Sequence, residues 1–204
     1  MAFLNINNFT GYNYAKKICN TALILLLLIA GPVGWVFAGN IAIENPKAGS
    51  VLPLSDKDYS LVINNETFSL GDKWDALRKH QAGKELSNSY VGDVEVNATS
   101  YKFYQHNYEG YTIYSSNIYY DKQNRDVDEY VISQISLDDS LIKTSRGIVI
   151  GDPLSSVVKS YGAGKEDDSD NERWIYYDFN NKSLSFKIEQ GKVASIMMAI
   201  STDD

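Results

Sequence analysis

One stretch constrains the fold more than any other: Thr144-Ser-Arg-Gly-Ile-Val-Ile-Gly-Asp-Pro-Leu-Ser-Ser-Val-Val-Lys-Ser-Tyr-Gly-Ala-Gly164. It reads as a short strand, a glycine turn, a capped helix and a glycine stop. Asp152 is placed to cap the helix, and Pro153 suits the first helical position, where its missing N–H does no harm. Leu154, Val157, Val158 and Tyr161 fall at i, i+3, i+4 and i+7, which makes one apolar stripe. A counterpart lies upstream from Phe68 to Gly83. Gly71 and Gly151 stand 80 positions apart (151 − 71), as do Asp72 and Asp152, Leu77 and Val157, and Lys79 and Lys159. The spacing points to an internal duplication. In the upstream copy Asp72 is expected to cap, Trp74 and Leu77 to share the buried face, and Gly83 to end the helix.

Strands follow each helix. Tyr101 to Tyr108, then the Glu109-Gly110 turn, then Tyr111 to Tyr114 read as a hairpin whose second arm continues through Ile118-Tyr-Tyr120. A polar loop from Asp121 to Glu129 leads to a third strand, Tyr130 to Leu137. In the second half three strands are expected at Arg173–Phe179, Ser183–Glu189 and Val193–Ile200, with turns at Asn180-Asn181 and Gln190-Gly191. Leu184, Phe186 and Ile188 alternate with polar residues, so one face is buried; the same phase turns Ile175, Tyr177, Phe179, Ala194, Ile196, Met198 and Ile200 inward. Ahead of both halves, Leu61-Val-Ile63 and Phe68-Ser-Leu70 flank Asn64-Asn-Glu66 as a small hairpin or an entry loop. The expected fold is α+β: two tandem helix-plus-three-stranded antiparallel meander repeats forming one pseudo-symmetric domain. The repeats are bounded at 61–140 and 141–204, with the sheets packed together or joined.

The first 38 residues stand apart. Lys16 and Lys17 precede an apolar run from Ile18 to Ala38, and Val36-Phe-Ala38 offers small residues at a cut site. This is the pattern of a secretory signal peptide. The run also approaches the roughly 20 residues that span a bilayer, so an uncleaved anchor is the alternative. Either way the remainder is extracytoplasmic, secreted or in the cell envelope, with any membrane contact made only through residues 18–38. Residues 39–60, with Pro46, Gly49 and Pro53, read as a linker or loose arm.

The formal net charge is −7, and loss of Lys16 and Lys17 with the leader makes it two units more negative. Such a surface repels phosphate backbones, which excludes nucleic acid as a partner. The single cysteine, Cys19, precedes the apolar run, so the remainder has neither disulfide nor thiol chemistry and must rely on a packed core.

The phrase Ile-Gly-Asp-Pro-Leu-Ser-Ser-Val-Val-Lys-Ser-Tyr-Gly, followed by three strands with Trp-Ile-Tyr-Tyr and a Gln-Gly-Lys-Val turn, resembles a recurrent bacterial exported module. It is similar to the repeat of the β-lactamase inhibitory protein superfamily and of small outer-membrane assembly lipoproteins. The match covers Ile148–Ile200 well and Phe68–Leu137 more loosely. The resemblance implies protein binding by an exposed sheet face and no catalysis; the fold it names serves several roles.

The residues themselves offer no catalytic, cofactor or metal motif. His80 and His106, the two histidines, read as helix-end and outer-strand residues. The acidic loops Asp121–Glu129 and Asp167–Glu172 lack the calcium-loop pattern and read as solvated connections. The aromatics carry more information: the chain has 15 tyrosines and three tryptophans. With Phe103 and Ile113 taken as inward, Tyr104, His106, Tyr108 and Tyr114 point outward, as do Trp174 and Tyr176. Either these rings stabilise the sheet as cross-strand pairs, or a face bearing Tyr104, Tyr114, Trp174 and Tyr176 binds a partner. The functional expectation is a non-enzymatic binding module for another protein, in an inhibitor, immunity or envelope-scaffold role. The alternative is a protein that stacks cell-wall polysaccharide on the same rings.

Overall fold

The computed structural model describes residues 51–168 and 172–201; the leader or anchor read at 1–38, and residues 39–50 of the arm, lie outside them. Among the described residues no helix is long and apolar enough to cross a membrane.

Two-residue turns build most of the chain. Asn64-Asn65, Asn97-Ala98 and Gln190-Gly191 place both central residues at positive φ, the backbone twist that suits a tight hairpin. The first joins β1 (Ser60–Ile63) to β2 (Glu66–Ser69). The second joins β3 (Ser87–Val96) to β4 (Thr99–Tyr108), which pairs in turn with β5 (Tyr111–Ser116). β6 (Val131–Leu137) completes the first half. The second half holds β7 (Lys165–Asp167), β8 (Arg173–Phe179), β9 (Lys182–Glu189) and β10 (Lys192–Ile200). The helices are short: α1 is Ala76–Ala82 and α2 is Leu154–Tyr161.

This overturns the expected α+β architecture of two helix-plus-three-stranded repeats. The described residues are mostly β: one eight-stranded antiparallel sheet in the order β3-β4-β5-β6-β10-β9-β8-β7, with the β1–β2 hairpin as a separate two-stranded sheet. Two strands, β3 and β7, were not expected. Both are sheet edges, and their exposed stretches carry no alternating pattern, although Val94 and Val96 at the far end of β3 are buried between exposed Asp93 and Glu95. Ser87–Tyr90 and all of β7 are exposed. The Tyr111 strand ends at Ser116, and Ile118–Tyr120 form turns.

The helix starts also differ. Asp72 and Asp152 do not cap. Their carboxylates accept from the N–H of Ser69 and of Val149, each at 3.0 Å, and close tight turns. Each turn then hangs on a central strand. The Gly71 N–H donates to Ile132 O and the Gly151 N–H to Val193 O, both at 2.8 Å. The α1 cap is Asp75, which accepts from the Arg78 N–H at 3.0 Å; Pro153 occupies the cap position of α2. The 80-residue correspondence fails in the helices themselves. Val157 is fully buried, whereas Leu77 is 64 % exposed, and Trp74 reaches the core from the turn before α1.

The core lies on the sheet face covered by the β1–β2 hairpin and the helices. Across the strands one row runs Ile113, Ile135, Met198, Leu184, Tyr177, and the next Tyr111, Leu137, Ile196, Phe186, Ile175. All are buried, at about 1.5–3 kcal/mol for each large apolar side chain. Tyr59, Leu61, Phe68, Leu70, Trp74, Leu154, Val157 and Tyr161 close over them. A bulge between Val193 and Ser195 puts Val193 in the core in place of Ala194. On the opposite face Phe103, opposite Ser116, and Tyr101, opposite Val94, are buried near the 117–130 loop. Tyr101 packs edge-on against Tyr119 and donates to Asp121 at 2.7 Å.

Residues 51–60 are no loose arm. Asp56–Tyr59 form a 3-10 turn in which Asp58 is 3 % exposed and Tyr59 fully buried. Arg146 grips it: Nε and Nη2 donate to the two Asp58 oxygens at 2.7 and 2.8 Å. The same guanidinium reaches the carbonyls of Leu52, Pro53 and Ser160 and lies 4.9 Å over the Tyr161 ring. Burial alone would raise the Asp58 carboxyl, but hydrogen bonds from Arg146, Ser55 and Ser145 outweigh it and hold it below the usual carboxylate range. Removing one partner of a buried pair strands the other charge. Arg146→Met is therefore expected to cost about 3 kcal/mol in urea unfolding; a loss below about 1 kcal/mol, the worth of a surface pair, would contradict the clamp.

Candidate functional site

A cleft of about 500 Å³ opens where the tip of the β1–β2 hairpin, the end of α1, the β4–β5 turn and residues 139–142 meet. Its construction is local. Gly110, at φ +79°, leaves no room for a Cβ, which would stand 2.7 Å from the Asp139 Cβ. That close approach, with the Asp138 N–H donating to Gly110 O at 2.9 Å, ties the loop to the turn. Asp139 Oδ1 accepts from the Leu141 N–H at 2.8 Å and fixes the bend at whose crest Leu141 stands 83 % exposed. Val62 and Leu86 add two more exposed aliphatic side chains, at 63 and 62 %. Tyr108 and Tyr111 stack in the wall, ring centres 4.9 Å apart and nearly parallel. Glu109, Asp139 and Lys84 supply the charged groups of the lining. None of these residues was singled out from the sequence as part of a site. The available signal was Val62, an aliphatic on the wet side of a strand between two buried neighbours.

A second polar constellation lies in the core. His106, expected on the outer face, is 5 % exposed. Its Nδ1 stands 2.7 Å from Glu85 Oε1, so it carries the proton and Nε2 is the acceptor. The Trp74 indole N–H donates to Nε2 at 3.0 Å, and Ser115 Oγ stands 2.9 Å from the same atom. Ser115, His106 and Glu85 thus have the spacing of a nucleophile, base and orienting acid. Two donors converge on one lone pair, however, Ser115 is 2 % exposed, and the Trp74 ring packs against the His106 ring at 5.1 Å. In this geometry the group pins the turn before α1 and the loop after it to β4 and β5. Burial lowers the His106 pKa, and the Glu85 carboxylate offsets this only in part.

The four residues expected to form one face are divided. Trp174 and Tyr176 stand together, ring centres 6.3 Å apart, but Trp174 is 9 % exposed and its Nε1 donates to Glu172 at 3.2 Å. Tyr114 shares their face, opposite Gln105 and Gln134, four strands from Tyr176, or about 19 Å at normal strand spacing. Tyr104 lies on the other face, opposite Ser115, between Tyr90 at 5.2 Å and Tyr130 at 5.4 Å. The error came from taking Phe103 and Ile113 as co-facial. The two-residue turn sets Tyr108 opposite Tyr111, hence Ile113 opposite His106, and Phe103 faces the other way. Tyr108, expected outward, is buried with His106 on the core face. Among the described residues no three His, Cys, Asp or Glu side chains gather to hold a metal ion.

No family model matches the chain, and no curated protein matches it. The crystal structure of the uncharacterized protein YfeY from Escherichia coli is similar at 18 % identity and a TM-score of 0.40, covering 65 % of this chain and 92 % of that one.

The His106 site has a pH signature. The folded pKa lies below the unfolded value of about 6.5, so its contribution to stability is full above that pH and is lost as pH falls below it. The urea midpoint is expected to drop between pH 7.5 and pH 5.5, and to drop less in His106→Gln. An equal drop in both proteins would place the acid sensitivity elsewhere.

Proposed function

We propose that the chain is an exported, non-enzymatic module that binds another protein at the cleft. The observation that carries this reading is the gathering of Val62, Leu86 and Leu141, each more than 60 % exposed, round one concavity. Exposed aliphatics scattered singly are ordinary, whereas a cluster round a cleft of this size marks a contact surface. Export is supported by the Lys16-Lys17 start, the apolar run and the small residues ending at Ala38. An inhibitor, immunity or envelope-scaffold role follows from the resemblance to exported inhibitory modules. Trp174, Tyr176 and Tyr114 belong to the opposite face and are assigned a secondary contact at most.

A second reading, binding of cell-wall polysaccharide, is favoured by one observation. Tyr90, Tyr104 and Tyr130 form a run of three rings, and Tyr90 is 51 % exposed at the sheet edge. Rings at such positions stack on sugars with little loss of rotamer freedom.

Capture from a detergent extract of the native envelope, with the tagged full chain as bait, separates the two. The expected result is one dominant protein, reduced at least ten-fold by the pair Val62→Asp and Leu141→Asp and unchanged by Tyr90→Ala. Retention on wall polysaccharide that Tyr90→Ala abolishes, with no protein captured, would replace the first reading with the second.

A further inference from the structure

Building on the partner-binding reading, we infer that the cleft takes an extended segment of the partner in which aliphatic and basic residues alternate. Three features carry this: an unpaired hydroxyl in the cleft wall, an open strand edge beside the cleft and an excess of acids in the lining. Tyr108 is 6 % exposed and its hydroxyl has no hydrogen-bond partner, although it sits in the cleft wall. The nearby Ala82 carbonyl cannot serve it, because that oxygen already accepts from the Tyr111 hydroxyl and from Asn64 Nδ2. Burial also pushes the Tyr108 pKa up, so the group stays a phenol with a proton to donate. A ligand that draws this hydroxyl out past the exposed side chains of Lys84 and Leu86 gains a donor, and a peptide carbonyl is the matching acceptor.

The shape of the ligand follows from what borders the cleft. Leu86 on its rim immediately precedes β3, the terminal strand of the sheet, which is paired on one side only among the described residues. Ser87–Tyr90 are exposed there, and the bulge between Tyr90 and Gly92 ends the regular register. A strand leaving the cleft therefore meets about four residues of open edge, the setting for strand addition. The charge follows from the lining: Glu109 and Asp139 are set against the single Lys84. A basic side chain between two aliphatic ones satisfies the acids, and an acidic one meets repulsion.

An unpaired buried hydroxyl weakens the free fold while it serves the complex, which separates a ligand-directed group from a structural one. The test uses the full chain and two labelled peptides, acetyl-Ile-Lys-Ile-Lys-Ile-amide and its Glu analogue, read by fluorescence anisotropy. The basic peptide should bind at least ten-fold more tightly than the acidic one. Tyr108→Phe should raise the free protein's melting midpoint by about 2–4 °C and weaken the basic peptide about five-fold. Glu109→Gln with Asp139→Asn should erase the charge preference. Equal binding of both peptides, or a lowered midpoint in Tyr108→Phe, overturns the inference. If neither peptide binds while envelope capture still depends on Leu141, the inference falls and the partner-binding reading stands; if capture also fails, both fall.

Discussion

Everything in this structure rests on the seam between β6 and β10. Leu137 faces Ile196 and Ile135 faces Met198 across it, and all four side chains are at most 1 % exposed. Most other strand pairings in the sheet join neighbours across short turns. The seam joins segments about 60 residues apart and must overcome the entropy of closing that loop before it contributes anything. Without it the chain would hold two four-stranded sheets, each with an apolar face that one short helix cannot cover. The two glycine-aspartate turns explain themselves in this light. One exchanges hydrogen bonds with Ile132 on β6 and the other with Val193 on β10, so each helix is hung from a seam strand. The Arg146–Asp58 clamp then fastens residues 52–58 over the end of α2.

The cleft is a consequence of this economy. α2 buries Leu154, Val157 and Tyr161, but α1 buries only Ala82. The hairpin tip and the 139–142 loop take over where α1 stops, and they meet without closing. Tyr111 spends its hydroxyl on the Ala82 carbonyl, while Tyr108, stacked on it, is left without a partner. Other buried polar atoms also lack partners, the Tyr161 hydroxyl among them, but of these only the Tyr108 hydroxyl belongs to a residue that lines the cleft beside three exposed aliphatics, and such local inconsistencies concentrate at functional sites.

What the sequence revealed follows the same physics. The turn at Gln190-Gly191 and the strands β8, β9 and β10 were legible because a two-residue turn and a one-sided sheet leave a period-two signature, whereas Asn64-Asn-Glu66 read equally as a hairpin or an entry loop. β7 and the Ser87–Tyr90 half of β3 were not, since an exposed edge has nothing to alternate; Val94 and Val96, buried between exposed Asp93 and Glu95, are a period-two signal in the other half of β3. Tyr104 and His106 were assigned to the wrong face although the turn at Glu109-Gly110 held the register. Phe103 looks like a core marker for that face, but it is buried on the opposite one, near the 117–130 loop. Asp58 and Arg146 are 88 positions apart (146 − 58), and no local pattern announces such a pair. The cleft residues come from four segments and acquire meaning only when those segments meet.

Native-state hydrogen exchange tests the seam most directly. If β6 and β10 hold the two halves in one sheet, their amides exchange only through global unfolding, and both strands share the slowest rate and the same urea dependence. Protection of 173–200 that survives while 99–137 exchanges through a separate, cheaper opening would mean two independent sheets, and the account built on the seam would fail.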